Sequence, residues 1–138
     1  MPAKAEPQRV AIESDDDVVT ARRLARELAT ELGFGGTDIT LLATAISEVA
    51  RNITAYAGRG EVCIEPVTVG DRNGVKVVAR DEGPGIANLE LALRDGYSSG
   101  TGLGLGLPGA RRLVDDFDVQ TEVGRGTTVT LVKWGRET

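Results

Sequence analysis

Glycines at 100, 102, 104 and 106 alternate through Gly100-Thr101-Gly102-Leu103-Gly104-Leu105-Gly106-Leu107-Pro108-Gly109, and the run then passes into an apolar helical pattern. Six of the chain's 18 glycines fall between Gly96 and Gly109. A glycine has no Cβ, so its backbone N–H can approach a bulky anion without a clash. The start of a helix adds unpaired N–H donors and a partial positive charge. Together these features predict a site for a di- or triphosphate, and the other motifs are read as serving a nucleotide held there.

Composition narrows the chemistry. A chain of 138 residues fits one domain with one core. We expect a disordered tail over 1–7 and a single domain over 8–138. The net charge of −5 argues against a nucleic-acid module, which normally carries a basic patch. No apolar run approaches the roughly 18 residues of a membrane span, and Met1 to Gln8 holds no apolar leader core. Cys63 is the single cysteine, so no internal disulfide forms, and its neighbours Val62 and Ile64 suit a small buried side chain. These features favour the cytoplasm. The chain has no histidine, which removes a Ser–His–Asp triad, a His-ligated zinc and phosphorylation on a histidine of its own. Proton transfer must then use a carboxylate or another group.

Along the chain, Arg9 to Ile12 reads as a short edge strand. Ser14 and the acidic run Asp15-Asp16-Asp17 suit a helix start. Ala21, Leu24, Ala25, Leu28 and Leu32 form one stripe, and Gly33 ends the helix. A second helix starts at Thr37 or Asp38 and runs to about Ala57, with Ile39, Leu42, Ala43, Ile46, Val49, Ala50 and Ile53 facing a core. Strands are expected at Glu61 to Val69, Val75 to Arg80, Asp118 to Val123 and Thr127 to Trp134. Asp71-Arg72-Asn73-Gly74 is read as the turn of a hairpin. One sheet face is apolar and the other mixed, so the expected fold is an α/β (α+β) two-layer sandwich. Its sheet should be mixed but mostly antiparallel, with three main helices on one face.

Three groups carry chemistry. Glu48 and Asn52 lie four apart, so they share a helix face, off the main apolar stripe. A glutamate beside a reacting phosphate can take the proton of an attacking hydroxyl. An asparagine carbonyl is a hard oxygen ligand suited to Mg²⁺. The same pair alone also suits a solvated face. Asp81-Glu82-Gly83-Pro84-Gly85 follows a strand end, where open sheets place ligand contacts. A carboxylate there can accept from an adenine amino group, with Gly83 and Gly85 leaving room for the base; a plain turn is the bland alternative. Gly124-Arg125-Gly126-Thr127 turns into the last strand, and Thr127 brings a hydroxyl near the base. Gly104-Leu105-Gly106-Leu107-Pro108-Gly109 also satisfies a dinucleotide fingerprint, with Glu122 some distance on. No apolar strand precedes it, which that fingerprint requires.

Glu48-x-x-x-Asn52, Asp81-x-Gly83-x-Gly85, Gly102-x-Gly104-x-Gly106 and Gly124-x-Gly126-Thr127 resemble, in order and spacing, the boxes of the GHKL (Bergerat-fold) ATPases and kinases. The resemblance covers nearly the whole chain. The runs Ala45 to Ile53, Tyr56-Ala57-Gly58, Asp81 to Ile86, Gly106 to Gly109 and Val132-Lys133-Trp134 are similar to the switch serine/threonine kinases of bacterial stress-response partner-switching modules. The resemblance implies a Bergerat ATP-binding fold and an ATP- and Mg²⁺-dependent kinase acting on a STAS-domain antagonist protein. It also implies activation of a PP2C-type phosphatase by the released kinase. It implies Glu48 as catalytic base and Asn52 as Mg²⁺ ligand. Asp81 would hold the adenine amino group, with Gly83 and Gly85 beside the base and Thr127 near it. Gly102, Leu103, Gly104, Leu105 and Gly106 would line the phosphates, and Asn88 to Thr101 would form a short lid. Related anti-sigma factors use the same fold to grip a sigma factor, which is the alternative function.

Overall fold

The computed structural model describes residues 6–86 and 106–135. Among these residues five strands form one sheet: β1 Gln8–Ile12, β2 Gly60–Val69, β3 Arg72–Asp81, β4 Asp116–Glu122 and β5 Gly126–Trp134, in the order β1-β2-β3-β5-β4. Helices α1 Asp15–Glu31, α2 Gly36–Asn52 and α3 Gly106–Leu113 accompany it, and a π-helical turn, Ile53–Ala57, follows α2 directly. Of the expected tail, Met1 to Ala5 lie outside the described residues; Glu6 and Pro7 are exposed and irregular.

Alternation along the strands decides which face is covered. Val10 and Ile12, Val62 and Ile64, Val75, Val77 and Ala79, and Val129 and Leu131 are all buried, and register places them on one face. They pack against Val18, Ala21, Ala25, Leu28 and Ala29 of α1 and Leu42, Ala45, Ile46, Val49 and Ala50 of α2. Leu24, Leu32 and Ile39 flank this core, partly buried. The two-layer arrangement with helices on one face is therefore as the patterning predicts.

Every strand pairing among the described residues is antiparallel, so the expected mixed sheet is corrected. The connection from β3 through α3 to β4 does run two strands in the same direction. β5 lies between them and pairs antiparallel with both. The hairpin turn also shifts. Val69 pairs with Arg72, leaving Gly70-Asp71 as a two-residue turn with Gly70 at φ +60°, the backbone sign a type II′ turn needs at its first central residue. Gly74 belongs instead to β3, where Trp134 lies so close that a Cβ would come within 2.7 Å of its ring.

Local chemistry sets the helix ends. Asp17 Oδ2 accepts from the backbone N–H of Glu13 at 2.9 Å and of Ser14 at 3.2 Å, half of a capping box. Gly33, at φ +85°, stops α1. α2 changes pitch after Asn52: the Gly58 N–H reaches back five residues to the Ile53 carbonyl at 2.9 Å. At the opposite end of the sheet from Asp81, Lys133 of β5 is buried. Its Nζ lies 3.6 Å from Asp38 of α2 and 3.9 Å from Asp115.

Candidate active site

One end of the sheet aligns one residue from each strand, and those on β2 to β5 are small or polar. Register aligns Ile12, Gly60, Asp81, Thr127 and Thr121 across β1, β2, β3, β5 and β4. All five stand on the helix-facing side, because they continue the alternation of the buried residues. Asp81 Oδ1 accepts from the Gly83 N–H at 2.9 Å. Its second oxygen has no protein partner among the described residues. That leaves a carboxylate oxygen, half-buried, able to accept from a ligand amino group.

The glycines around Asp81 answer to the protein's own packing. A Cβ on Gly83 would lie 2.8 Å from Ala57 Cα, on the π-helical turn. One on Gly85, at φ +78°, would strike the Glu122 carbonyl. These contacts demand glycine whether or not a base lies alongside, a reason that the sequence alone did not offer. The segment 82–86 is further tied to the β4–β5 hairpin. Gly124 N–H donates to Pro84 O at 2.9 Å, and Ile86 N–H donates to the Thr121 hydroxyl at 2.8 Å.

The second half of the site is on α2. Glu48 is only 8% exposed although it stands off the helix's main apolar stripe, because α3 covers that side. Its Oε1 accepts from the Gly106 N–H at 3.1 Å, and its Oε2 lies 3.5 Å from Arg51 Nη1. Gly106 ends the alternating glycine run and opens α3, so the carboxylate sits where the first N–H donor of that helix points. Asn52 is half-buried, one turn further on the same face. Five residues beyond it, Ala57 packs on Gly83. The π-helical turn thereby joins the Glu48–Asn52 face to the Asp81 end of the sheet.

The structure thus brings Glu48 to Gly106, and Asp81 into line with Thr127. Asn52, Gly83 and Gly85 lie on the segments that connect these two pairs. Gly102, Leu103, Gly104, Leu105 and the expected lid, Asn88 to Thr101, lie outside the described residues. Sequence reasoning missed Arg51, whose i,i+3 spacing from Glu48 was a usable signal. It also missed Thr121, which no local pattern marks. No cluster of three or more acidic or cysteine side chains suited to a metal occurs among the described residues. Among them, no helix is long and apolar enough to cross a membrane.

Comparison with known proteins agrees with this fold. The family described as a histidine kinase-like ATPase domain matches residues 12–133. The serine/threonine-protein kinase RsbT of Bacillus subtilis is 46% identical over 127 residues, covering 92% of this chain and 96% of that protein. The anti-sigma F factor of Clostridium acetobutylicum is 30% identical over 118 residues, 82% of each chain. Among solved structures, the RsbU and RsbW domains of Rv1364c from Mycobacterium tuberculosis superpose with a TM-score of 0.63 at 23% identity. That match covers 96% of this chain and 33% of the other. The mycobacterial sensor histidine kinase MprB superposes with a TM-score of 0.56 at 20% identity, over 97% and 99% of the two chains. The two structural likenesses speak for the fold alone, whereas the sequence matches reach further: the chain belongs to the histidine kinase-like ATPase family, ATP-using proteins of the Bergerat fold, in the branch of the RsbT-type protein serine/threonine kinases.

Proposed function

We propose that the chain transfers the γ-phosphoryl group of ATP to a serine or threonine of a small STAS-domain antagonist protein, as the switching kinase of a cytoplasmic partner-switching module. The observation that carries this reading is the Glu48 carboxylate, buried and aimed at the Gly106 N–H at the end of the glycine run. A triphosphate lying along that run presents its terminal phosphorus beside Glu48. The acceptor hydroxyl oxygen attacks that phosphorus and the bond to the β-phosphate oxygen breaks. ADP leaves, and Glu48 takes the hydroxyl proton. Such transfer depends mainly on positioning and charge stabilisation. At the other end, Asp81 accepts from the adenine amino group, with Thr127 next to it in the sheet.

Asn52 suits Mg²⁺. It offers a hard carbonyl oxygen one turn from Glu48, and its side chain takes no bond among the described residues. The sparse set of protein oxygens fits an ion that keeps waters and shares phosphates. When bound, Mg²⁺ would neutralise charge on the triphosphate.

The test is direct. Purified chain, labelled ATP and Mg²⁺ are incubated with a candidate STAS-domain protein, and label on a serine or threonine is expected, lost in Glu48→Gln. Absence of transfer to any such protein overturns the reading. The likeness to an anti-sigma F factor favours a second one, in which the chain sequesters a sigma factor. Co-elution with a sigma factor in the presence of ATP would select it. Activation of a PP2C-type phosphatase by the released chain would support the switching role.

A further inference from the structure

Thr121 belongs to none of the motifs, yet its hydroxyl is engaged from three directions. Ile86 N–H donates to it at 2.8 Å, Thr127 Oγ1 lies at 2.9 Å, and the Gly126 carbonyl lies at 3.2 Å. A hydroxyl has one proton and two lone pairs. Ile86 occupies one lone pair. The proton goes either to Thr127 or to the Gly126 carbonyl, and in the second case Thr127 donates into the remaining lone pair. Both arrangements fasten the segment after Asp81 to the start of β5.

The fold alone does not ask for a hydroxyl here. Phe117 and Val119 precede Thr121 on the same face of β4, all three half-buried. A valine would continue that alternation, with the same branched shape and ordinary strand preference. What the oxygen adds is a fixed position for the 83–86 backbone and for the Thr127 side chain, the two groups that flank Asp81.

We propose that Thr121 is a positioning residue for the nucleotide base, acting through Ile86 and Thr127. This rests on the reading that the base lies at Asp81. The experiment is calorimetric titration of the full chain with ATP and with ADP, for the parent and for Thr121→Val, Thr121→Ser, Thr121→Ala and Asp81→Asn. Thr121→Val is expected to raise Kd roughly tenfold, the worth of about one hydrogen bond. The factor should be the same for ATP and ADP, because the two share the base. Thr121→Ser keeps the oxygen and should restore most of the affinity. Thr121→Ala removes it with less bulk and should repeat the loss if the valine variant folds poorly. Unchanged Kd in the valine and alanine variants, with Asp81→Asn weakened, overturns the role of Thr121 and leaves the site reading standing. A loss that serine does not rescue overturns it too. If Asp81→Asn binds as tightly as the parent, the placement of the base is wrong, and the role of Thr121 falls with it.

Discussion

The Glu48 carboxylate accepts a hydrogen bond from the Gly106 N–H at 3.1 Å, across 58 positions of the chain. This bond holds the start of α3, and in the proposed mechanism the same group also serves as the base. The two are separable by substitution. Glutamine keeps an acceptor oxygen for Gly106 but cannot take a proton. Glu48→Gln is expected to slow phosphoryl transfer by roughly 10²–10⁴-fold, the usual worth of a general base, with little change in thermal midpoint. Glu48→Ala should show the same kinetic loss and an added destabilisation of about 1–2 kcal/mol, as a buried donor loses its acceptor. Single-turnover transfer rates and urea unfolding of both variants check this. Transfer at parental rates in Glu48→Gln would remove Glu48 from the base role.

Asp81 divides its oxygens between the protein and the space next to it. Asparagine at this position keeps the oxygen that holds the Gly83 N–H. It then presents an NH₂ donor where an adenine amino group, itself a donor, would approach. We expect Asp81→Asn to weaken ATP binding by about 1.5–3 kcal/mol, one charge-assisted hydrogen bond, with the fold intact. Calorimetric affinity and unfolding midpoint, measured together, test both halves; equal affinity would move the base elsewhere.

Much of this site was legible because its signals are local. Glu48 and Asn52 are one helical turn apart, and an apolar alternating strand leads straight to Asp81. The glycine run announces itself by composition. Thr121 was not legible: its partner Ile86 is 35 positions away, and they meet only because β4 lies beyond β5 at the sheet edge. The sheet was read as mostly antiparallel; that all its pairings among the described residues are so was hidden for a related reason, since no local pattern says that β5 inserts between β3 and β4. The π-helical turn was read as the tail of α2, because five residues are too few to separate its period from 3.6. The hairpin turn was misplaced among Asp71, Asn73 and Gly74, each a competent turn residue. Gly74 lies in β3, paired with Trp134 of β5, and that pairing is long-range.

Gly124 in the β4–β5 turn and Gly126 at the start of β5 should behave differently despite their shared sequence setting. Gly124 has φ +84° with nothing within 4 Å of a Cβ position. Gly124→Ala is expected to cost about 1 kcal/mol, the left-handed penalty alone. Gly126 has φ +124°, and a Cβ there would strike the Asp81 carbonyl and lie 2.8 Å from Glu82 Cα. Gly126→Ala should cost at least about 2 kcal/mol more, since strain and a backbone clash add, and it should displace Asp81 enough to weaken ATP binding. Urea unfolding ranks the pair; equal costs would contradict the close approach of β5 to the end of β3.

Lys133 tests the opposite end of the sheet. Its ammonium is buried between Asp38 and Asp115, and Asp115 also accepts from the Trp134 N–H at 2.7 Å. Asp38 is 4% exposed, so its charge relies on nearby positive charge more than a surface aspartate does. Removing only the cation leaves the Asp38 carboxylate in a poorly solvated place, the costly way to break a buried pair. Lys133→Met is therefore expected to destabilise by about 3 kcal/mol. The double variant Asp38→Asn, Lys133→Met should recover much of that loss, because no buried charge is stranded and the methionine fills similar volume. Urea midpoints at unchanged m-value measure both. A Lys133→Met protein as stable as the parent would show that Asp38 draws its support from elsewhere. A double variant no better than the single would show that the packing of the lysine stem, rather than its charge, is what binds α2 to β5.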